Sequence, residues 1–182
     1  MIFFNTPQSR EKIPMMMELD KKVYGEGLLY HPSPQVFERV RHPMNILSSA
    51  LTPDGGVMLG YFAMVVVGES YYQRLLSGQA KEEEAEPWDH RDTPLLFIRD
   101  LVTRDRRATP YLFRHALKDL HGLCEEHDIY IHRAFTIAYH WTMKRVLKNY
   151  QFEETGRYQK RYSIMMASRD KSVVFNSFMK RY

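Results

Sequence analysis

Three arginines stand close together at Arg104, Arg106 and Arg107, just ahead of a stretch whose pattern predicts a helix from Pro110 to about Glu126. A helix N-terminus carries unpaired N–H groups and the positive end of the helix dipole, so it favours an anion, phosphate above all. Guanidinium groups beside it add charge and paired donors suited to phosphate oxygens. Thr109 and Pro110 read as the N-cap and first-turn residues of that helix, and this alone accounts for both. The N–H groups of Tyr111, Leu112 and Phe113 would then point outward. Upstream, Pro94 to Thr103 reads as a strand in which Asp100 is the only acidic residue. By alternation Asp100 shares a face with Ile98 and Val102, and Arg99 points the other way. A carboxylate so placed either forms an ion pair or strand-end hydrogen bond, or acts as a base.

Other chemistries find little support. His115, His121, His127 and His132 show no repeating metal-ligand spacing, and the chain has one cysteine, so no metal site is expected. Cys124 falls on the apolar stripe of the long helix and reads as a core thiol, not a nucleophile. No Gly-x-Ser-x-Gly and no phosphate-loop lysine motif occurs. The run Met15-Met16-Met17 reads as packing.

The elements that must position these residues follow from periodicity and turn chemistry. Ile13 to Tyr24 looks helical, with Gly25 and Gly27 beyond it. Ser33-Pro34 opens a second short helix through Val36, Phe37 and Val40. Asn45 to Leu51 and Val57 to Val67 read as a hairpin joined by Thr52-Pro53-Asp54-Gly55-Gly56. A short helix, Glu69 to Leu76, is closed by Gly78, and the acidic stretch Lys81 to Asp92 reads as an exposed loop. Leu112, Phe113, Ala116, Leu117, Leu120, Leu123 and Cys124 recur with helical period. Ile129 to Thr136 is a strand, Ala138 to Asn149 a helix, and Phe152 to Tyr158 with Arg161 to Ala167 a final pair of strands. Residues 168–182 form an appendage. A strand–helix–strand crossover needs a parallel pair, and the rest is antiparallel. The expected fold is therefore α/β, a mixed sheet of six to seven strands with helices on both faces.

Composition sets the frame. The chain has 182 residues, 26 basic and 22 acidic, for a net charge of +4. A hydrophobic fraction of 44% supports a core without staples, and one domain is the default at this length. A single thiol suits a reducing, cytoplasmic setting, and no run is long enough to cross a bilayer. The run Met1-Ile2-Phe3-Phe4 is too short for a signal-peptide core. The stretch Lys144–Tyr182 holds ten basic and three acidic residues, a pattern that is most simply a solvated face.

Two segments resemble the GNAT superfamily, the GCN5-related N-acetyltransferases. One is Leu101-Val102-Thr103-Arg104-Asp105-Arg106-Arg107 with its following helix. The other is the helix Met143 to Asn149 running through Tyr150-Gln151-Phe152 into a strand. Gly60-Tyr61-Phe62 and the Tyr-rich helix after it also look like one branch of this family. The element order matches over roughly residues 10 to 167.

The resemblance implies acyl transfer from acetyl-CoA or another acyl-CoA to a primary amine, with no metal. The thioester would lie between the strands Phe97–Thr103 and Ile129–Thr136. Leu101, Val102, Thr103, Arg104, Arg106, Arg107, Thr109, Tyr111, Leu112, Thr136 and Trp141 would contact the cofactor. Asp100 would serve as base, and Tyr139 or Tyr150 as acid. The chain departs from the family twice. Pro110 and Leu112 stand where glycines let backbone approach the phosphates. Leu147 stands where many members carry a tyrosine acid, and Gln151 where they carry glycine. The departures leave two alternatives: a donor presented by an acyl carrier protein, or a GNAT-like module that binds RNA or a protein partner without catalysis. The acceptor could be a small molecule, a protein or an aminoacyl-tRNA, and a homodimer is allowed. RNA binding rests on charge alone, and no membrane partner is expected.

Overall fold

A computed structural model describes residues 1–24 and 41–168. The short helix expected after Ser33, and all of the C-terminal appendage beyond Ser168, lie outside the described residues. In order, the elements are β1 (Ile2–Phe4), α1 (Thr6–Arg10), α2 (Ile13–Tyr24), β2 (Asn45–Leu51), β3 (Met58–Gly68), α3 (Glu69–Leu76), β4 (Pro94–Thr103), α4 (Thr109–Glu126), β5 (Arg133–Ala138), α5 (Trp141–Asn149), β6 (Glu153–Tyr158) and β7 (Tyr162–Ser168). Among the described residues seven strands form one mixed sheet in the order β1-β2-β3-β4-β5-β7-β6. The pair β4–β5 is parallel, and β1–β2, β5–β7 and β6–β7 are antiparallel.

Contacts group the chain into two compact units, Met1–Met64 with Asp100–Leu123 and Val65–Arg99 with Cys124–Tyr182. In the first unit, alternation along β3 splits its core in two. Tyr61 and Ala63 face α2, where Met16 and Leu19 pack with Leu47, Leu51 and Val102. Phe62 faces the other way and packs on Phe113 of α4, with ring centroids 4.4 Å apart. Leu112, Ala116 and Leu120 form the buried stripe of α4. Ser48 Oγ donates to the Leu112 carbonyl at 2.8 Å. Asp119 accepts hydrogen bonds from Thr6 N–H (2.6 Å) and Thr6 Oγ1 (2.5 Å), which ties α1 to α4.

In the second unit Phe97 of β4 and Phe135 of β5 stack with centroids 4.7 Å apart and planes 4° apart. Tyr71, Tyr72 and Leu75 of α3 cover them. Entry into α3 is set by Asp92, whose carboxylate accepts the Ser70 N–H at 2.7 Å. A Cβ on Gly68 would meet that carboxylate at 2.1 Å, so a side chain there would have to displace Asp92 from its place over the helix start.

Several expectations need correction. The strand expected from Ile129 begins instead at Arg133. Asp128 takes a left-handed φ of 52°, and the Ile129 N–H closes the end of α4 on the Cys124 carbonyl. Ile129 and Ile131 are buried without being strand residues, which is why they looked like one. The helix expected from Ala138 starts at Trp141, because Ala138 still pairs with Ser163 in the sheet. Thr109 is not an N-cap. It lies inside α4 with helical φ and ψ, behind a 3₁₀ turn at Arg106–Ala108. The acidic stretch is pinned at several points. Tyr158 Oη accepts the Glu82 N–H, the Trp88 N–H donates to the Val66 carbonyl, and Ala80 and Ala85 are buried. Strand β1 and helix α1 were not apparent from the sequence pattern.

Gly60 sits where β3 passes the end of β4, and a Cβ there would lie 2.8 Å from the Val102 carbonyl oxygen. Relief needs movement of backbone, so Gly60→Ala should lower stability by about 1–3 kcal/mol in urea unfolding. An unchanged midpoint would show that β4 can yield at no cost.

Candidate active site

In the first unit the expected cofactor segment runs from the end of β4 into α4. Leu101 is exposed and Val102 is buried in the core. Thr103 Oγ1 donates to the Asp105 carbonyl at 2.7 Å, and the Arg104 N–H donates to Leu59 at 2.8 Å, fixing the turn. The cap is Asp105. Its carboxylate accepts the Arg107 N–H at 3.0 Å and also receives Arg107 Nε (3.0 Å) and Nη2 (2.8 Å). These bonds hold the Asp105 carboxyl below its ordinary range, Arg107's side-chain bond first and its backbone bond second. One guanidinium expected to meet a phosphate, that of Arg107, is thus already engaged by a carboxylate, as is its own N–H.

Arg104 and Arg106 are exposed, and among the described residues neither joins an ion pair or side-chain hydrogen bond. Tyr111 is exposed and packs its ring against Phe3 at 5.0 Å. The Leu112 side chain is fully buried, so its bulk does not crowd the helix start as the sequence suggests. These residues fit a donor phosphate gripped by side-chain charge at Arg104 and Arg106. They do not offer the backbone cradle that glycines would provide.

Asp100 is half-buried on β4. Near it the structure adds residues that the sequence reading passed over. Tyr61 Oη donates to both carboxylate oxygens of Asp20, at 2.7 and 2.9 Å. The Asp20 carboxyl is pushed up to about 6, chiefly by burial, with the Tyr61 hydrogen bond opposing and the Asp100 charge adding to it. A signal was present: Asp20 follows Met16 by four positions and Leu19 by one, an acid on the apolar face of α2.

In the second unit β4 and β5 register only at Leu96↔Ala134 and Phe97↔Phe135, though both strands continue. Thr136 lies just past that ladder. It is 1% exposed, and its Oγ1 has no hydrogen-bond partner among the described residues. A buried hydroxyl without a partner carries a desolvation penalty that a ligand could relieve. Tyr139 is exposed, donates its hydroxyl to the Glu82 carboxylate and packs on Tyr162 at 4.6 Å. Trp141 is 72% exposed, and no residue of α5 is buried. The helix is held from beneath by Glu154, which binds Lys144, Arg157 (3.0 Å) and Ser163 (2.9 Å).

Tyr150 is exposed at the end of α5, and Gln151 follows in a left-handed conformation with φ of 63°. The left-handed residue falls at the position where the resemblance expects a glycine. The Cys124 thiol is pushed up to about 11, by burial first and Glu125 second, in keeping with a core thiol. Among the described residues no group of three or more ligating side chains could hold a metal ion. No helix among them is long and apolar enough to cross a membrane. Trp88, His90, Tyr130 and His132 line a shallow groove to which none of the expected site residues contributes.

The fold is that of the GCN5-related N-acetyltransferases. No protein-family model matches the chain, and no curated protein matches its sequence. Among solved structures, it is similar to FeeM, an N-acyl amino acid synthase from uncultured soil microbes, at 10% identity and a TM-score of 0.56, covering 97% of each chain. It is similar to the GNAT domain of S. lividans PAT at 11% identity and a TM-score of 0.55, covering 91% of this chain and 89% of that one. Arabidopsis thaliana NAA60 in complex with a bisubstrate analogue gives 15% identity and a TM-score of 0.55, covering 92% and 97%. Identities this low establish a shared fold.

Two stability predictions follow from the site. Gln151→Gly removes a left-handed β-carbon and should raise stability by about 1 kcal/mol in urea unfolding. No gain would mean that the Gln151 side chain makes contacts worth as much as the strain. For Asp20, the folded protein holds the proton more tightly than the unfolded chain. Its contribution to folding is therefore full below the ordinary carboxylate range and is lost as pH rises through about 6. Asp20→Asn should gain in melting temperature relative to the parent between pH 4 and pH 7.5. A constant difference across that window contradicts the assignment.

Proposed function

We propose that the protein is an N-acyltransferase that moves an acetyl or other acyl group from an acyl-CoA to a primary amine. The short parallel ladder between β4 and β5 carries this reading. Both strands continue past their last registered pair, and just beyond it Thr136 has a buried hydroxyl without a partner among the described residues. The fold adds weight, since the similar structures include an N-acyl amino acid synthase and NAA60 in complex with acetyl-CoA.

In the reaction the deprotonated amine nitrogen attacks the thioester carbonyl carbon. A C–N bond forms, the C–S bond breaks, and the departing sulfur takes up a proton. Asp100 is assigned to the acceptor ammonium, which its carboxylate attracts. Leu101, Val102 and Thr103 offer main-chain groups to the pantetheine arm, and Thr136 its hydroxyl. Arg104 and Arg106 meet the phosphates, with Thr109, Tyr111 and Leu112 contributing only through the helix start, and Trp141 covers the donor from α5. Tyr139 and Tyr150 are the tyrosines assigned to protonate the thiolate. Asp105 favours a second reading of the donor, because its carboxylate engages Arg107 at the turn assigned here to the pyrophosphate. A phosphopantetheine arm on a carrier protein has one phosphate fewer to place there. The setting assigned is cytoplasmic.

Saturating acetyl-CoA or a longer acyl-CoA should raise the melting temperature by mass action. Arg104→Ala with Arg106→Ala should weaken that binding about tenfold or more, and Asp105→Asn should tighten it by removing a negative charge and releasing Arg107. No shift with any acyl-CoA, and no acyl transfer to a panel of amines, overturns the CoA-dependent reading. Transfer seen only from an acylated carrier protein selects the second donor.

A further inference from the structure

Asp20 is a charged side chain on the apolar face of α2, and the roles assigned above leave it unused. It is half-buried and meets Tyr61 of β3, which shares a core cluster with Leu19, Ala63 and Val102 in the first unit. Tyr61 is almost fully buried, and its hydroxyl donates to both oxygens of the Asp20 carboxylate. Such a two-pronged contact sets the plane of the carboxylate and its distance from β3. Asp100 acts on it electrostatically from β4. The other side chains that α2 meets here, Leu47, Leu51, Met58 and Ala63, are apolar. A carboxylate in that setting is poorly hydrated and close to a second negative charge, and both conditions make it avid for a proton or a cation.

We propose that Asp20 is a catalytic residue of the acceptor site: it takes the proton from the acceptor's ammonium group, Tyr61 positions it, and Asp100 holds the ammonium beside it. The inference rests on the acyltransfer reading of the preceding subsection. In the step, an N–H bond of the ammonium breaks and its proton passes to an Asp20 oxygen. The nitrogen lone pair so released attacks the carbonyl carbon of the acyl thioester. The C–S bond then breaks, a second N–H bond of the attacking nitrogen gives its proton to the thiolate as the amide forms, and Asp20 releases the first proton to solvent. The shift of the carboxyl to about 6 agrees with this role, because a general base works best with an affinity near the working pH.

A purely structural role for the Asp20–Tyr61 contact, a tether between α2 and β3, predicts different behaviour under mutation. The decisive measurement is the pH profile of kcat/KM for one fixed amine and one acyl donor, in the parent protein and three single variants. Asp20→Asn keeps the shape and can still accept from Tyr61. It should lower kcat about a hundredfold or more and abolish the acid limb attributable to Asp20. Tyr61→Phe removes a hydrogen bond that favours the ionised form, so the limb should move to higher pH. Asp100→Asn removes a neighbouring negative charge, so the limb should move to lower pH. Opposite movements in the last two variants are not produced by a tether. Circular dichroism and acyl-donor binding, measured on each variant, show that the fold and the donor site persist. If the parent turns over and the limb stays in place in all three variants, the role of Asp20 is overturned and the acyltransfer reading stands. If the parent transfers no acyl group from either donor to any amine, that reading falls and this inference with it.

Discussion

The stacked rings of Phe97 and Phe135 join β4 to β5 at the one place where the two strands register. Tyr71 and Tyr72 of α3 close over them, so the contact is both aromatic and fully buried. Past it, two strand ends continue with main-chain groups outside the registered ladder. Buried backbone and side-chain polar groups demand partners. The unpartnered Thr136 hydroxyl lies one residue beyond the stack and has the same need.

Electrostatics decide how a donor could be gripped. Asp105 supplies the cap that a helix start requires, and in doing so it consumes Arg107 and one backbone donor. The arginine cluster is thus divided. One member steadies the turn, and two remain for solvent or a ligand. At Asp20 the influences are opposed. Asp20 is buried enough to resist ionisation, yet it is held by a tyrosine that favours the ionised form. Opposed influences of that kind leave a carboxyl near neutrality, where a small change in its surroundings alters its charge.

Most of the architecture could be read along the chain. The boundaries of α2, β2, α3 and β4 follow from apolar periodicity, turn residues and glycines, because those signals are local. The reading failed where a residue is buried without being regular. Ile129 and Ile131 resemble a strand because the core selects apolar side chains regardless of backbone conformation. It failed again at β1 and α1, whose support comes from Ala50 and Asp119, both far away in sequence. At the site, Asp100 and the arginines were visible by type and spacing. The sequence carried Asp105 in plain view as well, but nothing local told whether it would face a ligand or cap the turn.

The sequence by itself determined the order of the main elements from α2 onward, the parallel crossover and the missing glycines, since each depends on covalent neighbours and the period of the backbone. Only the tertiary structure decided which charges remain available. Arg107 is taken and Arg104 is not, and Asp20 stands against Tyr61, forty-one residues away in the chain. Charge pairing and desolvation depend on distance through space, and in a folded chain that distance bears little relation to separation along it.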